Sequence, residues 1–205
     1  MKTASTATRQ RKRPFDREQG VEIARRLFHA RGYDAVSVAD LTQALDVVPP
    51  SLYAAYGSKL GLFERALRSY VSNSALPLET ILAPGIPPAI ALTDLLVAAA
   101  RHYTQDPVLR GCMMTEAMRA DDPEASALAV TFAEAGSSVI RKYVAKHAKA
   151  RDVGRIVDYV LLTLRGLSSY ACLGFTGAKL VECAKVAGQA LNAEFVAIDP
   201  PAKKV

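Results

Sequence analysis

The sequence predicts an all-α protein with a three-helix N-terminal domain followed by a larger helical domain. Apolar residues recur at spacings of three and four along most of the chain, which is the period of an amphipathic helix. No segment alternates between apolar and polar residues for long enough to form a strand. Prolines and a glycine in residues 74–88 interrupt the pattern, because such a cluster breaks regular structure. We therefore place the boundary between the two domains there.

The composition favours a globular protein with a basic N-terminal arm. The chain has 205 residues, 50% of them hydrophobic, and a formal net charge of +6. It is long and apolar enough for a packed core. Residues 1–14 contain five basic residues and no acid. Beside a DNA-binding domain such an arm adds phosphate contacts or enters a minor groove, and by itself it is equally typical of a solvated tail.

The sequence carries no sign of a membrane or secreted protein. No uninterrupted apolar run reaches the roughly 18 residues of a membrane span, and residues 1–14 lack the apolar middle of a signal peptide. The cysteines Cys112, Cys172 and Cys183 form no CxxC pair and fit reduced thiols better than a disulfide framework. We therefore expect a cytoplasmic protein without membrane contact.

Two short helices joined by a tight turn are predicted between Ser37 and Lys59. Ser37 is a potential N-cap of the first helix, in which apolar residues recur at helical spacing. Pro49 and Pro50 cannot continue that helix but suit the first turn of the next one, which Gly57 closes.

Such short helices need support, because nucleation costs more than their few hydrogen bonds return. The segment from Asp16 to Arg31 supplies a third helix, with Asp16 as its N-cap and an apolar stripe that includes Leu27 and Phe28. The second helix of the short pair then projects from a three-helix unit. This is the geometry of a helix-turn-helix that enters the major groove of DNA.

The same segment resembles the DNA-binding domain of the TetR family of transcriptional regulators. The resemblance covers roughly residues 15–70 and keeps the spacing of the family's motifs without a gap. The matching residues are Gly32-Tyr33, Ser37-Val38 with Leu41, Pro50-Ser51-Leu52-Tyr53-Ala54-Ala55-Tyr56-Gly57-Ser58-Lys59 and Leu62-Phe63. The resemblance implies a dimeric DNA-binding regulator with an effector pocket in its second domain.

Two positions depart from the family's pattern. Asp46 occupies the turn position where the family usually has glycine, and Val48 stands where a serine or threonine usually precedes the recognition helix. Aspartate adopts the left-handed conformation at modest cost, so the turn stays feasible. Val48 offers no hydroxyl cap, which leaves Pro49-Pro50 to set the start of the helix.

The recognition helix is predicted to offer hydroxyls and small side chains to DNA. The spacing turns Leu52 and Tyr56 inward. The outward hydroxyls of Ser51 and Tyr53 suit phosphate oxygens. The candidate DNA-binding residues are Ser37, Pro50, Ser51, Tyr53, Ala54, Tyr56, Lys59 and, in the arm, Arg13. No Arg, Asn or Gln lies on this helix to read a base edge, so we expect modest sequence discrimination and marked salt dependence.

The last two long helices, predicted over residues 152–173 and 177–196, are the candidate dimer surface. They mix apolar with small residues, which let helices approach closely, and TetR-like regulators dimerise through this pair. The alternative is that these faces pack inside the monomer. The candidate interface residues are Val160, Leu164, Leu167, Leu180, Ala184, Ala187 and Leu191.

The resemblance places an effector pocket in the second domain. A mostly apolar cavity there suits a hydrophobic or aromatic small molecule. Methionine and aromatic side chains also fill ordinary cores, and that alternative stays open for each candidate. The candidate lining residues are Tyr103, Met113, Met114, Met118, Phe132 and Tyr143.

Four other interpretations centre on Cys112 or on DNA alone. Cys112 with His102 is the only nucleophile–base pair for a thiol enzyme, and no HExxH or phosphate-binding glycine loop accompanies it. Soft ligands around Cys112 suit Cu(I), but Cys112, Met113 and Met114 are consecutive and cannot converge on one ion. We therefore predict no metal and no cofactor, while oxidation of Cys112 and an architectural DNA-binding role stay as alternatives.

The sequence thus predicts a ligand-responsive DNA-binding regulator that is not an enzyme. We expect a repressor that binds a palindromic operator on double-stranded DNA as a homodimer. A bound effector would then change the spacing of the two recognition helices. The expected parts are an arm over 1–14, a helix-turn-helix domain over 15–73, a ligand-binding and dimerisation domain over 74–199 and a tail over 200–205.

Overall fold

The computed structural model describes residues 16–198 and is helical throughout this part, without a strand. No helix in this range is both long and apolar enough to cross a membrane. The basic arm and the C-terminal tail lie outside the described residues. The helices are α1 Arg17–Arg31, α2 Val38–Leu45, α3 Pro49–Tyr56, α4 Lys59–Asn73, α5 Leu78–Ile81, α6 Pro88–His102, α7 Met113–Ala117, α8 Pro123–His147, α9 Ala150–Cys172 and α10 Gly177–Ile198.

The helix-turn-helix forms as its caps and turn predict. The side chain of Asp16 accepts hydrogen bonds from the first turn of α1, and Ser37 and Asp40 form a capping box on α2. Asp46 ends α2 in the left-handed conformation, with φ of 50°, which confirms that aspartate serves at this turn. Val48 makes no side-chain cap, so α3 begins on Pro49 alone.

The first core joins the helix-turn-helix to two helices far along the chain. It is built on α1–α4, where Phe63 of α4 packs against the rings of Phe28 and Tyr33 at centroid distances of 5.0 and 4.8 Å. The same cluster continues through α7 and the beginning of α8, at Met113, Met114, Ala117, Ala125 and Ala129. Side chains from both sides of the 74–88 segment are therefore packed in one cluster.

The second core consists of α6, α9, α10 and the last part of α8, and it is chiefly aliphatic. It includes a close approach between α10 and α6, where a Cβ on Gly188 would lie 2.5 Å from Thr93. Gly188 therefore lets these two helices pack closely within one chain. The small residues of α10, which suggested a dimer contact, serve the monomer here.

The prediction of the dimer residues was wrong for six of the seven positions, because their side chains lie inside the second core. Each of the six is at most 9% exposed, so it is not available to a second chain. Leu164, the seventh, is partly buried. The six residues are Val160, Leu167, Leu180, Ala184, Ala187 and Leu191.

The 74–88 segment contains one short helix that the proline pattern did not predict. Residues Leu78–Ile81 form α5, which starts directly after Pro77 and packs against α6 and α8. Proline is well tolerated at the start of a helix, where Pro77 lies, and Pro84 lies beyond the end of α5. The segment still connects α4 to α6.

Candidate DNA-binding surface and effector cavity

The outer face of α3 presents the predicted small and hydroxyl side chains to solvent. Pro50, Ser51, Tyr53 and Ala54 are exposed, with 47% of Tyr53 accessible. Leu52 on the opposite face is completely buried in the first core. The helix therefore has one face for packing and one free face, as a recognition helix requires.

Tyr56 is a packing residue, so its inclusion among the DNA-binding candidates was wrong. Its side chain is 4% exposed, and its hydroxyl donates a hydrogen bond of 2.9 Å to the carbonyl oxygen of Arg17. The bond attaches the end of α3 to the beginning of α1. Burial raises the pKa of the Tyr56 hydroxyl, which keeps it protonated as a donor.

Ser37 acts as a helix cap, and a contact from this exposed residue to a phosphate stays a prediction. Its hydroxyl and its backbone N–H both donate to Oδ2 of Asp40, at 2.5 and 2.8 Å. Asp40 also pairs with Arg31 at 3.0 Å. These hydrogen bonds, the one from Ser37 first, hold the pKa of Asp40 well below its ordinary value. A carboxylate therefore occupies the N-terminus of α2.

Lys59 lies at the start of α4 with its ammonium 3.9 Å from the centre of the Tyr33 ring. Partial burial lowers the pKa of this lysine, while the nearby carboxylates of Asp34 and Asp122 act in the opposite direction. Its side chain is only partly accessible. The ring and the two acids fix the position of this cation beside the recognition helix.

Two further observations concern the edges of this surface. Arg13, the candidate in the arm, lies outside the described residues. Val48, which the sequence offered only as a missing cap, is 61% exposed directly before α3. An exposed apolar residue at that point suits contact with a thymine methyl group. Its position directly before the two prolines that begin α3 was the feature of the sequence that could have identified it as a candidate.

A cavity of about 320 Å³ lies between α4, α6, α7, α8 and α9. Four of the six predicted lining residues border it, namely Tyr103, Met114, Met118 and Phe132. The prediction was wrong for the other two. Met113 is 2% exposed within the first core, and Tyr143 packs in the second core. Neither lines the cavity, because each points into a packed layer between helices.

Two phenols and a thiol meet at one wall of the cavity. The Tyr70 hydroxyl donates to Sγ of Cys112 at 3.7 Å, and the Tyr103 hydroxyl lies beside the same thiol. Burial raises the pKa of both tyrosines far above the ordinary value, so both phenols stay protonated. The sequence missed Tyr70, because its place on the apolar stripe of α4 is also typical of a core residue.

The rest of the lining is mostly apolar, with His102, Thr115 and Ser137 as further polar side chains and charged residues at the rim. Leu76, Leu161 and Leu164 border the interior, so Leu164 is a cavity residue as well as a former dimer candidate. The exposed side chains of Glu79 and Arg165 border the cavity too. Such an arrangement admits a small, mostly apolar molecule.

Two structural links connect the cavity to the recognition helix. The first is α4, which begins at Lys59 beside α3 and carries Tyr70 on the cavity wall. The second runs through Asp34, whose carboxylate accepts the backbone N–H groups of Asp121 and Asp122 at 2.8 and 3.3 Å. This bond attaches the α1–α2 loop to the start of α8, a helix that borders the cavity at Phe132.

An apolar face remains exposed on the outside of α9 and α10. Leu162 and Leu173 are each 71% exposed, Val186 is 65% exposed and Tyr170 is 49% exposed. Scattered exposed apolar residues are ordinary, but these lie on the outward side of two neighbouring helices. Among the described residues of this helix pair, they are the large apolar side chains that stay exposed to solvent. Within the described residues, no three His, Cys, Asp or Glu side chains come together as a metal site.

The chain is similar to known regulators along most of its length. The family described as "Bacterial regulatory proteins, tetR family" matches residues 21–66. The HTH-type transcriptional repressor BdcR of Escherichia coli (strain K12) is 40% identical over 182 residues, which cover 89% of this chain and 92% of BdcR. The repressor ComR of the same strain is 27% identical over 86% of this chain and 89% of ComR.

A solved structure agrees with these relatives. A cysteine mutant of CifR, a TetR family transcriptional regulator complexed with 26-bp double-strand operator DNA, has a TM-score of 0.77 and 30% identity. The similarity covers 88% of this chain and 99% of the CifR chain. The fold and the exposed α3 thus define a helix-turn-helix transcriptional regulator and not an enzyme. The chain belongs to the TetR family. These relatives do not favour the thiol-enzyme alternative built on Cys112 and His102.

Proposed function

We propose that this regulator is a ligand-responsive repressor that binds a palindromic operator as a homodimer. The observation that carries the proposal is the free outer face of α3, where Ser51, Tyr53 and Ala54 are exposed above a packed inner face. Repressors BdcR and ComR and the operator-bound CifR support the same role. Because its target is chromosomal DNA and its family is bacterial, we infer that it works in the cytoplasm.

In the proposed DNA complex, contacts to phosphates position the protein and a few apolar contacts read the sequence. Ser51 and Tyr53 donate to phosphate oxygens, and Lys59 adds a positive charge. Ala54, Pro50 and Val48 are placed to meet thymine methyl groups. Since α3 has no side chain for a bidentate base contact, DNA shape and the basic arm supply the remaining specificity.

The proposed dimer uses the exposed outer face of α9 and α10. Leu162, Leu173 and Val186 would bury their exposed apolar surface against the same residues of a second chain around a two-fold axis. This arrangement would place two α3 helices about 34–36 Å apart, as successive major grooves on one side of DNA require.

In the proposed response, an effector in the cavity changes that separation through α4 and α8. Tyr70 contacts the cavity on α4, the helix that begins beside α3. The Asp34 contact carries a displacement of α8 to the α1–α2 loop. A ligand shifts the equilibrium only if it binds one spacing better than the other, so the preferred effector is one that fits the cavity of the released form.

Two tyrosines on α3 provide a matched test of the DNA-binding surface. We expect Tyr53→Phe to weaken operator binding roughly twofold to tenfold for each protomer of the dimer, because one neutral hydrogen bond contributes about 0.5–1.5 kcal/mol. Its thermal stability should not change, since the hydroxyl is on the exposed face. Tyr56→Phe should instead keep operator affinity and lower stability by about 1 kcal/mol, because it removes the bond to Arg17.

The measurements are fluorescence anisotropy with DNA from the region upstream of the gene and thermal unfolding of each variant. The logarithm of affinity should fall steeply with the logarithm of salt concentration. A slope equivalent to fewer than about two phosphates would contradict the proposal. Equal loss of DNA affinity in the two variants would also contradict it, because it would mean that the faces of α3 are not distinct.

A further inference from the structure

Cys112 is held rigidly at the wall of the cavity. Its backbone N–H donates to the Ser168 hydroxyl at 2.8 Å, which ties it to α9. The preceding Arg110 donates to the carbonyl oxygens of Ala171 and Phe175 at 2.6 and 2.5 Å. Between them Gly111 has a φ of +76° and lies so close to α9 that a Cβ would be 2.6 Å from Cys172 Sγ. The thiol therefore occupies a fixed position in relation to the cavity.

Hydroxyl donors surround that thiol in an apolar setting. Tyr70 lies 3.7 Å from Sγ, and Tyr103, which is only 6% exposed, faces the same sulfur from the end of α6. Both side chains also border the cavity, so their hydroxyls are within reach of a ligand that enters it. Two donors at one point suit a single electronegative oxygen, and a fixed oxygen-binding pair stabilises negative charge that develops there.

The remaining walls limit the class of ligand. Met114, Met118 and Phe132 make the interior apolar, and the charged Arg165 is exposed to solvent. The cavity volume of about 320 Å³ is at the small end for ligand sites. His102, Thr115 and Ser137 also border the cavity, but the two phenols meet at the thiol. A small, mostly apolar molecule whose main polar group is an oxygen directed at this point therefore fits best.

We propose that Cys112 is the covalent acceptor of small α,β-unsaturated carbonyl compounds that enter this cavity, with Tyr70 and Tyr103 binding their carbonyl oxygen. The sulfur, as a thiolate, attacks the β carbon and forms an S–C bond. The π electrons of the alkene move to the carbonyl oxygen, where the two phenols stabilise the enolate. A proton equivalent to that lost from the thiol then reaches the α carbon. Nothing is released, and no oxidant is consumed.

This inference rests on the proposed effector role of the cavity. The adduct lies beside Tyr70 on α4 and replaces its contact with the thiol, so it acts on the helix that begins next to α3. Because the adduct is covalent, the fraction of modified protein depends on how long and at what concentration the protein meets the electrophile. It does not depend on a binding equilibrium with free ligand. The chemistry assigned to Cys112 can be measured without DNA.

The three cysteines provide an internal comparison for the test. Cys183 is exposed, whereas Cys112 is partly buried, so accessibility alone favours reaction at Cys183. Cys172 is the weaker comparison, because its thiol packs against Gly111, donates to the carbonyl oxygen of Arg110 at 3.5 Å and has a pKa raised by burial. The full-length, freshly reduced protein is treated with less than one equivalent of methyl vinyl ketone. Peptide mass spectrometry then follows the rate at each cysteine. We expect Cys112 to react at least about tenfold faster than Cys172 and Cys183, because only Cys112 has paired hydroxyl donors within reach of a bound carbonyl oxygen.

Conservative variants separate a specific role of the phenols from a loss of structure. Tyr70→Phe and Tyr103→Phe should each slow the reaction of Cys112 with methyl vinyl ketone, about tenfold, while the rate at Cys183 is unchanged. Reaction of Cys112 with methyl methanethiosulfonate, which develops no enolate, should slow much less. Thermal unfolding checks that each variant is folded.

Two results would overturn the proposal: equal or faster labelling of Cys172 or Cys183, or unchanged Cys112 rates in both phenylalanine variants. Operator binding by the unlabelled protein is measured in parallel. If the unlabelled protein fails to bind DNA, the proposed function fails while the labelling rates still decide the chemistry. If it binds DNA equally well after complete labelling of Cys112, the adduct is not an effector.

Discussion

The first and second cores stabilise their parts of the chain in different ways. The first core packs aromatic rings and keeps polar groups at its margin, including the Tyr56 hydroxyl on Arg17 and the Lys59 ammonium on Tyr33. The second core depends on close approach of aliphatic surfaces, as at Gly188 on Thr93. Directed bonds can be remade when a helix shifts, whereas close packing tolerates little displacement. We therefore expect the DNA-binding side of the molecule to adjust more readily than the side that carries the proposed dimer contact.

The largest expected effect tests whether the exposed outer face of α9 and α10 forms a dimer contact. We expect Val186→Glu to raise the dissociation constant of the dimer at least ~100-fold, because it buries an unpaired charge beside its symmetry mate. Val108→Glu is the matched control, since Val108 is 64% exposed and Val186 is 65% exposed, but Val108 lies on the loop after α6. The measurement is sedimentation of each protein over a range of concentrations.

A dimer equally tight in both variants would remove α10 from the interface. A wild-type protein that sediments as a monomer at all concentrations would contradict the dimer itself. In either case the exposed apolar residues of α9 and α10 would need another explanation. Neither result bears on the rigidity of the second core, which the Gly188→Ala variant tests separately.

Gly188→Ala tests that rigidity directly. The added methyl would lie 2.5 Å from the Thr93 side chain, so we expect a loss of about 1–3 kcal/mol from overpacking. Gly154→Ala in α9 is the control, because no atom lies within 4 Å of its added Cβ. Replacing a helical glycine there should raise stability by about 0.5–1 kcal/mol. Chemical denaturation of both variants measures the difference, and a neutral Gly188→Ala would show that α6 and α10 can adjust.

Sequence reasoning succeeded where a local rule determines the structure. Caps at Asp16 and Ser37, the proline start of α3 and the left-handed turn at Asp46 all follow from interactions between residues close in the chain. The predicted ranges of the first helix and of the last two agree within about two residues with α1, α9 and α10. Only the short helix Leu78–Ile81 was missed, since prolines mark a break equally well whether or not one helical turn fits between them.

The reasoning was wrong where the choice lies between two buried surroundings. Apolar periodicity shows which face of α10 is buried but not whether α6 or a second chain covers it, and Leu191 belongs to the monomer. The same ambiguity affected the cavity. Met113 was predicted to line it but packs in the first core, whereas Tyr70 was not predicted to line it but does. Distinguishing core from cavity needs the relative positions of helices distant in sequence, such as α4 and α7.

The smallest expected effect tests whether the first core is the part that responds to conditions. His29 of α1 packs edge-on against Tyr70 at 5.5 Å, and neither ring nitrogen has a hydrogen-bond partner among residues 16–198. Burial is the main reason that its pKa is lowered from 6.5, and Arg25 and His102 act in the same direction. The backbone of Gly111 and Arg110 lies near the ring and favours its charged form, but without a well-formed hydrogen bond it opposes the shift only partly.

The sign of the effect follows from this direction. Because the folded pKa lies below the unfolded value of 6.5, the unfolded chain binds the proton more readily, and stability falls as the pH drops through and below 6.5. The neutral ring is favoured at pH 8, where this cost is absent. We expect His29→Phe to reduce the loss of stability between pH 8 and pH 5.5 by on the order of 1 kcal/mol, equivalent to ~2–4 °C in Tm.

Thermal unfolding of wild type and His29→Phe at the two pH values measures this difference. His102→Phe is the comparison, since burial also lowers the pKa of His102 but from a position at the end of α6, beside the cavity. An identical acid-induced loss in wild type and His29→Phe would show that the His29 site takes up a proton without cost. The margin of the first core would then have to admit water, and its polar contacts would be no more sensitive to pH than the packing of the second core.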